Sequence, residues 1–263
     1  MIEINNATYA YQEGKPSVKG LSLTVRAGEC VLLCGRSGCG KTTVTRLING
    51  LIPHFYPGQL TGGVMVAGRN IAEMPLYEIV EKTGSVFQNP RTQFFHVDTD
   101  SEIAFGLERL GYPACELRKR VSETAADLSI EHLLGRDIFN LSGGEKQKIA
   151  FASAYALFPD VYVLDEPSSN LDVKAIDDIR KMLLFLKSQG KTMIIAEHRL
   201  YYLSGVADRL LYLEGGAIAG EYTVAQFLAM DETERSVRGL RTMDLAKITV
   251  QEKRRPSKNH HLR

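Results

Sequence analysis

Three short stretches of this chain carry residue types whose spacing can do chemistry. The first is Gly35-Arg36-Ser37-Gly38-Cys39-Gly40-Lys41-Thr42, which fits G-x-x-x-x-G-K-[ST]. Glycines there let successive backbone N–H groups turn inward around phosphate oxygens, where a side chain would obstruct the approach. Lys41 offers its charge to the β- and γ-phosphates and Thr42 offers a hydroxyl to Mg²⁺. The helix that opens there, with Thr43 in its first turn, adds its positive end. The second stretch is Asp165-Glu166, directly after the apolar run Val161 to Leu164. Carboxylates at the C-terminal end of a buried parallel strand sit where α/β folds bind ligands. Asp165 is suited to hold a hydrated Mg²⁺ and Glu166 to polarise an attacking water. An acidic pair at a strand end says little by itself; after a phosphate loop it says much more. The third stretch is LSGGEKQ, Leu141 to Gln147. Ser142 and Glu145 match the S-x-x-E capping box, so a helix begins there with free N–H groups and a positive dipole end. Gly143 and Gly144 are poor helix formers, by up to ~1 kcal/mol each relative to alanine, unless something must come close.

The elements that position these groups alternate. Ile2 and Ile4, then Leu21, Leu23 and Val25, read as strands, and Ala27-Gly28-Glu29 as the turn before VLLCG. After Gly40 a helix should run to about Ile48, with Asn49-Gly50 as its stop and Pro53 beyond. VMVAG and SVFQ are short strands. From Asp98 to Gly135 the pattern turns helical, in DTDSEIAFGLERLG and ELRKRVSETAADL. A helix over Gly143 to Leu157 leads to the strand VYVLDE. Asp172 can cap the next helix, which ends at Gly190 before the strand TMIIAE. RLLYLEGGAIAGEY reads as a hairpin turning at Gly215-Gly216. Residues 222–263 supply one or two short helices and a basic tail, EKRRPSKNHHLR, read as a solvated end. Strands alternating with helices imply a mainly parallel sheet, with the run from 90 to 140 as a helical insertion.

Composition bounds the function. With 263 residues, 44% hydrophobic and 24% charged, the chain is of globular type and can bury a sizeable core. Its net charge of +1 creates no global field for nucleic acid or anionic membrane. No apolar run approaches the ~20 residues that span a bilayer. MIEINNATYAY lacks a basic start and an apolar stretch, so no secretory leader is expected. Cys30, Cys34, Cys39 and Cys115 form no paired CxxC arrangement and read as reduced structural thiols of a cytosolic protein.

The three motifs together resemble those of ATP-binding-cassette (ABC) ATPases, over about residues 1–220. The resemblance implies an α/β fold: a P-loop NTPase ABC nucleotide-binding domain, with a mainly parallel sheet core and an N-terminal antiparallel β subdomain. A helical subdomain, about 90–158, is inserted, and 221–263 form a C-terminal helical extension and basic tail. It implies that Ser142, Gly143 and Gly144 reach ATP bound by a second subunit. Gln88 would reach Mg²⁺ and the attacking water, and His198, at the end of TMIIAE, the γ-phosphate. Ser169 to Asp172 resembles the D-loop, which crosses the dimer interface. Tyr11 resembles the aromatic that stacks on adenine, with Tyr9 as its rival. The other histidines, His54, His96, His132, His260 and His261, have no such context. One departure is Glu197-His198-Arg199, where many members have Thr-His-Asp; it leaves the hydrogen bonding around the histidine open.

Within that family Val86 to Pro113, VFQNPRTQFFHVDTDSEIAFGLERLGYP, is similar to the ATPases of energy-coupling-factor (ECF) importers of vitamins and transition-metal ions. This implies ATP and Mg²⁺ as ligands and a second ATPase subunit, identical or related. It also implies a membrane T component and a substrate-binding S component, with the chain peripheral on the cytoplasmic face of the membrane. Other ABC importers and exporters share the ATPase motifs. The competing class is a soluble ABC ATPase that remodels DNA, ribosomes or iron–sulfur assemblies. The near-neutral charge, the single cassette and the absence of sustained heptads between Lys41 and Asp165 disfavour it, and no nucleic-acid partner is expected.

Overall fold

The computed structural model describes residues 2–244, so the basic tail lies outside the described residues. The chain opens with β1 (Ile2–Ala10) and β2 (Pro16–Val25), then β3 (Cys30–Cys34) runs into α1 (Lys41–Ile48). A one-turn α2 (Leu51–His54), absent from the sequence expectation, follows Gly50. Next come β4 (Gln59–Val66), β5 (Arg69–Asn70), α3 (Leu76–Lys82) and β6 (Thr83–Val86). Three helices then intervene: α4 (Thr99–Arg109), α5 (Ala114–Asp127) and α6 (Gly143–Ala156). The chain re-enters the sheet at β7 (Val161–Asp165), crosses through α7 (Val173–Ser188) to β8 (Thr192–Ala196), and forms the hairpin β9 (Arg209–Glu214) and β10 (Ala217–Thr223). Two short helices, α8 (Val224–Ala229) and α9 (Glu232–Val237), come last.

Two sheets result. β2-β1-β4-β5 is antiparallel. The six-stranded sheet has the order β10-β9-β3-β8-β7-β6, parallel throughout except at β10. β3, β7 and β8 are buried at every position, as expected of strands covered on both faces. Their period-two alternation divides the core. Val31, Leu33, Val163, Ile194 and Leu211 face α1 and the antiparallel sheet. Leu32, Tyr162, Leu164, Ile195 and Leu210 face the layer that includes α4 to α7. Cys30 and Cys34 belong to that second layer, where burial pushes both thiols up to about 12. All four cysteines are free, and Cys115 alone among them is exposed. Such buried thiols pack as small hydrophobes.

Helix ends follow side-chain chemistry. Asp98 and Asp172 each accept an N–H from the first turn of α4 and α7. Ser142 and Glu145 form the reciprocal capping box of α6. α7 ends at Ser188, and Gly190 at φ 69° turns the chain into β8. Among the described residues no helix is long and apolar enough to cross a membrane.

Phe151 ties α6 to the sheet: it is fully buried and stacks on Tyr162, with ring centroids 6.4 Å apart and planes 14° from parallel. Phe151→Ala should therefore cost about 3–5 kcal/mol in denaturant unfolding, the range for an emptied aromatic core site.

Candidate nucleotide site

β3 delivers the chain into the phosphate loop at its C-terminal end, and the loop is held by its surroundings. Gly35 has φ 147°, and a Cβ there would collide with the Leu213 carbonyl oxygen of β9. Gly40 has φ 108°, and its Cβ would lie 2.7 Å from the Ser17 carbonyl oxygen. These two glycines are required by the chain itself. Gly38, at φ 76° with nothing within 4 Å of its Cβ position, leaves open space. Lys41 is buried, and its Nζ donates to the carbonyls of Gly35 (3.0 Å) and Arg36 (3.1 Å). The lysine charge thus curls the loop around itself.

Parallel register brings the other groups to the same sheet end. Leu33 of β3 lies opposite Ala196 of β8, and Ala196 opposite Asp165 of β7. The Thr42 hydroxyl donates to Asp165 Oδ1 at 3.2 Å. Burial pushes the Asp165 carboxyl up, against the lowering effect of that hydrogen bond. The Arg46 and Lys41 charges partly offset that burial, and a hydroxyl beside a buried carboxylate is an oxygen donor pair suited to a hard cation, so the site fits Mg²⁺.

Glu166, the next residue, sits at φ 47°, a conformation a non-glycine residue adopts at a cost. Its N–H donates to the Ala196 carbonyl at 2.8 Å. Its carboxylate accepts from Gln88 Nε2 at 2.9 Å and lies 3.2 Å from His198 Nε2. Burial, then the Lys41 charge, lowers the His198 pKa below the usual histidine value, while Glu166 and Glu197 oppose the shift; Arg241 is a further lowering charge. A cavity of about 540 Å³ joins Ser37, Lys41, Thr42, Gln88, Glu166 and His198. Arg36 and Cys39 belong to the same loop, Cys39 buried and Arg36 exposed.

The Glu-His-Arg departure has a structural account. Glu197 is buried and its carboxylate accepts the N–H groups of His198 (2.7 Å), Arg199 (3.0 Å) and Ser168 (3.3 Å) and the Tyr202 hydroxyl (2.8 Å). Arg199 Nη1 donates to the carbonyls of Ser168 and Leu171. The loop bearing His198 is thereby joined to the segment before Asp172. Sequence reasoning missed Glu197 as an organiser; an acid directly after a fully apolar strand was the available signal. It also missed Ser17, which lines the phosphate cavity and had no signal at all.

The two N-terminal tyrosines separate clearly. Tyr9 is fully buried, and its hydroxyl donates to the Tyr56 and Pro57 carbonyls. Tyr11 lies at the end of β1, where its hydroxyl accepts from Arg46 Nη1 at 2.9 Å and lies 3.4 Å from Thr43 Oγ1. Arg46 also lies over the Tyr56 ring, 4.2 Å from its centroid.

LSGGEKQ lies elsewhere. Ser142, Gly143, Gly144 and Asp172 line a second cavity of about 400 Å³ that shares no residue with the first. His132, to which the sequence assigned no role, lines it too. The Ser142 N–H donates to Glu145 at 2.8 Å, and Arg136 pairs with the same carboxylate at 2.9 Å. That backbone hydrogen bond, then the Ser142 hydroxyl and Arg136, pulls the Glu145 pKa down to about 2. The glycine pair has two different explanations. Gly143 has nothing within 4 Å of its Cβ position, whereas a Cβ on Gly144 would lie 2.6 Å from the Ala175 Cβ of α7. Close approach of α7, within this chain, accounts for the second glycine.

A phosphate loop opening a helix at the end of a parallel strand, with a buried acid at the neighbouring strand end, defines a P-loop nucleotide-binding protein. Residues 18–169 match the family described as ABC transporter, and the chain belongs to that family. It is 48% identical over 95% of its length to a putative ABC transporter ATP-binding protein of Treponema denticola, covering 52% of that protein. A putative ABC transporter ATP-binding protein of Methanosarcina mazei is 34% identical over 95% of this chain, which covers 42% of it. The chain thus spans about half the length of the curated relatives it matches. Among solved structures it resembles cbiO1 of Clostridium perfringens, part of the ABC transporter complex cbiONQ, at 27% identity. The TM-score is 0.78, with 90% of this chain and 93% of that one covered. It also resembles the ATP-binding cassette MJ0796, solved as a dimer in a post-hydrolysis state with ADP and Pi, at 25% identity. There the TM-score is 0.74, with 85% of this chain and 99% of that one covered.

The glycine pair separates by substitution. Gly143→Ala should leave denaturant stability within about 1 kcal/mol of the parent, because its Cβ meets open space. Gly144→Ala should lose about 1–3 kcal/mol, because α7 must move away.

Proposed function

We propose that the chain is an ATP-binding and ATP-hydrolysing subunit that dimerises on ATP and powers transport through a membrane partner. By this reading the partner belongs to an ECF-type importer of a vitamin or transition-metal ion. The observation that carries the reading is the separation of the phosphate-loop cavity from the LSGGEKQ cavity. One chain holds two half-sites that share no residue, so a complete site needs a second cassette.

Each subunit binds ATP through the phosphate loop from Gly35 to Thr43, with Tyr11 beside the adenine. Thr42, Asp165 and Gln88 would hold Mg²⁺, whose charge would offset that of the phosphates. Lys41 releases its loop carbonyls and turns its ammonium to the incoming phosphate. Glu166 holds the attacking water and accepts its proton, oriented by Gln88 on one side and His198 on the other. Burial and the Lys41 charge disfavour the His198 cation, and its ring N–H, 3.2 Å from Glu166 in the free chain, turns to the γ-phosphate when ATP arrives. Ser142, Gly143 and Gly144 of the facing subunit close over the γ-phosphate with the dipole of α6 behind them. Asp172, as the cap of α7, holds the segment that crosses to the other site.

Coupling to a membrane partner runs through the Gln88 loop. A cavity of about 550 Å³ beside Gln88 is lined by Phe55, Tyr56, Phe87 and Phe95. Phe55 and Phe95 are 68% and 74% exposed, an apolar surface that favours a protein partner there. The ECF assignment rests on Val86 to Pro113, and likeness to cbiO1 supports it.

Glu166→Gln should abolish turnover yet retain ATP binding, trapping an ATP-dependent dimer visible by light scattering. Undiminished hydrolysis in that variant would refute the assignment. Purification of the native protein from membranes should recover an integral T-type protein, identified by mass spectrometry. Recovery only in the soluble fraction with ribosomes or DNA would overturn the transport reading.

A further inference from the structure

α9 lies beyond the matched region 18–169, and its C-terminal end touches the phosphate loop. α9 ends in a Schellman arrangement. The Leu240 N–H donates to the Arg235 carbonyl at 2.8 Å and the Gly239 N–H to the Ser236 carbonyl at 3.0 Å, with Gly239 at φ 66°. Those bonds, and the Arg238 N–H to Glu234, satisfy the helix-end carbonyls up to Ser236. The next carbonyl, on Val237, accepts from Arg36 Nη2 at 2.6 Å. A cation from the phosphate loop therefore caps the negative end of α9.

The contact extends along the whole Arg36 side chain. A Cβ at Gly239 would lie 2.9 Å from Arg36 Cγ and 3.2 Å from Arg36 Nε, so the arginine stem runs directly over the glycine. Gly239 thus serves both the left-handed turn and the close approach. The segment is anchored on its other side. Leu240 and Met243 are buried in the core layer shared with α6 and α7, and buried Arg235 donates to the Met230 carbonyl at 2.7 Å. Arg238 pairs with Glu234 at 2.8 Å and lies 5.6 Å from the ring centroids of Tyr212 and Tyr222. The Arg36 backbone is in turn bound to the reactive lysine, since its carbonyl accepts from Lys41 Nζ at 3.1 Å. An unbroken chain of contacts leads from the buried anchor at Leu240 to the ammonium of Lys41.

We propose that residues 231–243 act as a brace on the phosphate loop, with Arg36 as the positioning residue through which their docking sets the nucleotide affinity of the site. When the segment is docked, Arg36 is held outward on Val237 and Gly239, and the loop keeps the curl that Lys41 requires. When it lifts, Arg36 is released, and the loop loses the support that Val237 and Gly239 give it. Other contacts remain: Lys41 Nζ holds the Gly35 and Arg36 carbonyls, and at the β9–β10 turn the Gly216 N–H donates to the Cys39 carbonyl at 3.1 Å. Arg241, whose charge is felt at His198, moves with the same segment.

The proposal rests on the reading of this loop as the ATP site, and a double-mutant cycle on the full chain separates the two. MgATP affinity is measured by titration calorimetry for the parent, Gly239→Val, Arg36→Ala and the double variant, with thermal unfolding as a control. Gly239→Val, which drives a branched side chain into the Arg36 stem, should change affinity at least about threefold when Arg36 is present. In the Arg36→Ala background the same substitution should change affinity by less than about 1.5-fold. Equal fold-changes in the two backgrounds would overturn the brace, as would no change in the first; a merely structural loss would lower both affinities alike. If Gly239→Val does not fold, Leu240→Ala takes its place in the cycle, since it thins the anchor without touching the loop. A parent chain that fails to bind MgATP would remove both the brace and the nucleotide reading. A parent that binds, with additive variants, would remove the brace alone.

Discussion

The register of three parallel strands is the constraint on which the rest depends. Leu33 pairs with Ala196 and Ala196 with Asp165, so β3, β8 and β7 end at one level. The groups of the candidate site lie at or just beyond strand ends: the phosphate loop after β3, Asp165 closing β7 with Glu166 next, Glu197 and His198 after β8, and Gln88 after the neighbouring β6. A slip of one residue in β7 would turn Asp165 to the opposite face, because side chains alternate along a strand. Burial of the strands on both faces is what forbids that slip.

Electrostatics at the strand ends is unresolved charge held in place by packing. Lys41 is buried and bonded to its own loop carbonyls; Asp165 is buried with a threonine hydroxyl for company. Glu166 is held at positive φ between an amide and an imidazole. Each of these arrangements is unfavourable in isolation, and a polyanion and a divalent cation, as the proposed function has them, would offset its cost. The Glu197 network shows the complementary principle. A buried carboxylate with four donors is well satisfied, and it gives the His198 loop a fixed shape although the local sequence departs from the common family pattern.

Much of this was legible in the sequence because it is local. The phosphate loop, the capping box at Ser142 and Glu145, the Asp172 cap and the Gly215-Gly216 turn all depend on residues within a few positions of one another. The structure shows the same helix and turn boundaries to within two residues. Less legible was the reason for each glycine. From the sequence an approaching phosphate is one cause for both Gly143 and Gly144; in the fold Ala175 of α7 accounts for Gly144 and leaves Gly143 open. For the same reason Gly35 and Gly40 owe their identity to Leu213 and Ser17, which are far away in sequence. The choice between Tyr9 and Tyr11 likewise needed the fold, since the two tyrosines are two residues apart and only the packing shows Tyr9 sealed in the core.

By itself, then, the sequence determined the family, the order of most elements and the short stretches that are candidates for handling phosphate. Those are properties of short stretches, where backbone geometry and side-chain chemistry act on neighbouring residues. Tertiary structure decided which groups meet. It brought Gln88, Glu166 and His198 together, kept LSGGEKQ in a separate cavity, and laid the end of α9 against Arg36. Contacts of that kind join residues separated by as many as 201 positions, and no local periodicity or spacing encodes them. They arise only when two sheet faces must be covered at once, and the packing that covers them chooses the neighbours.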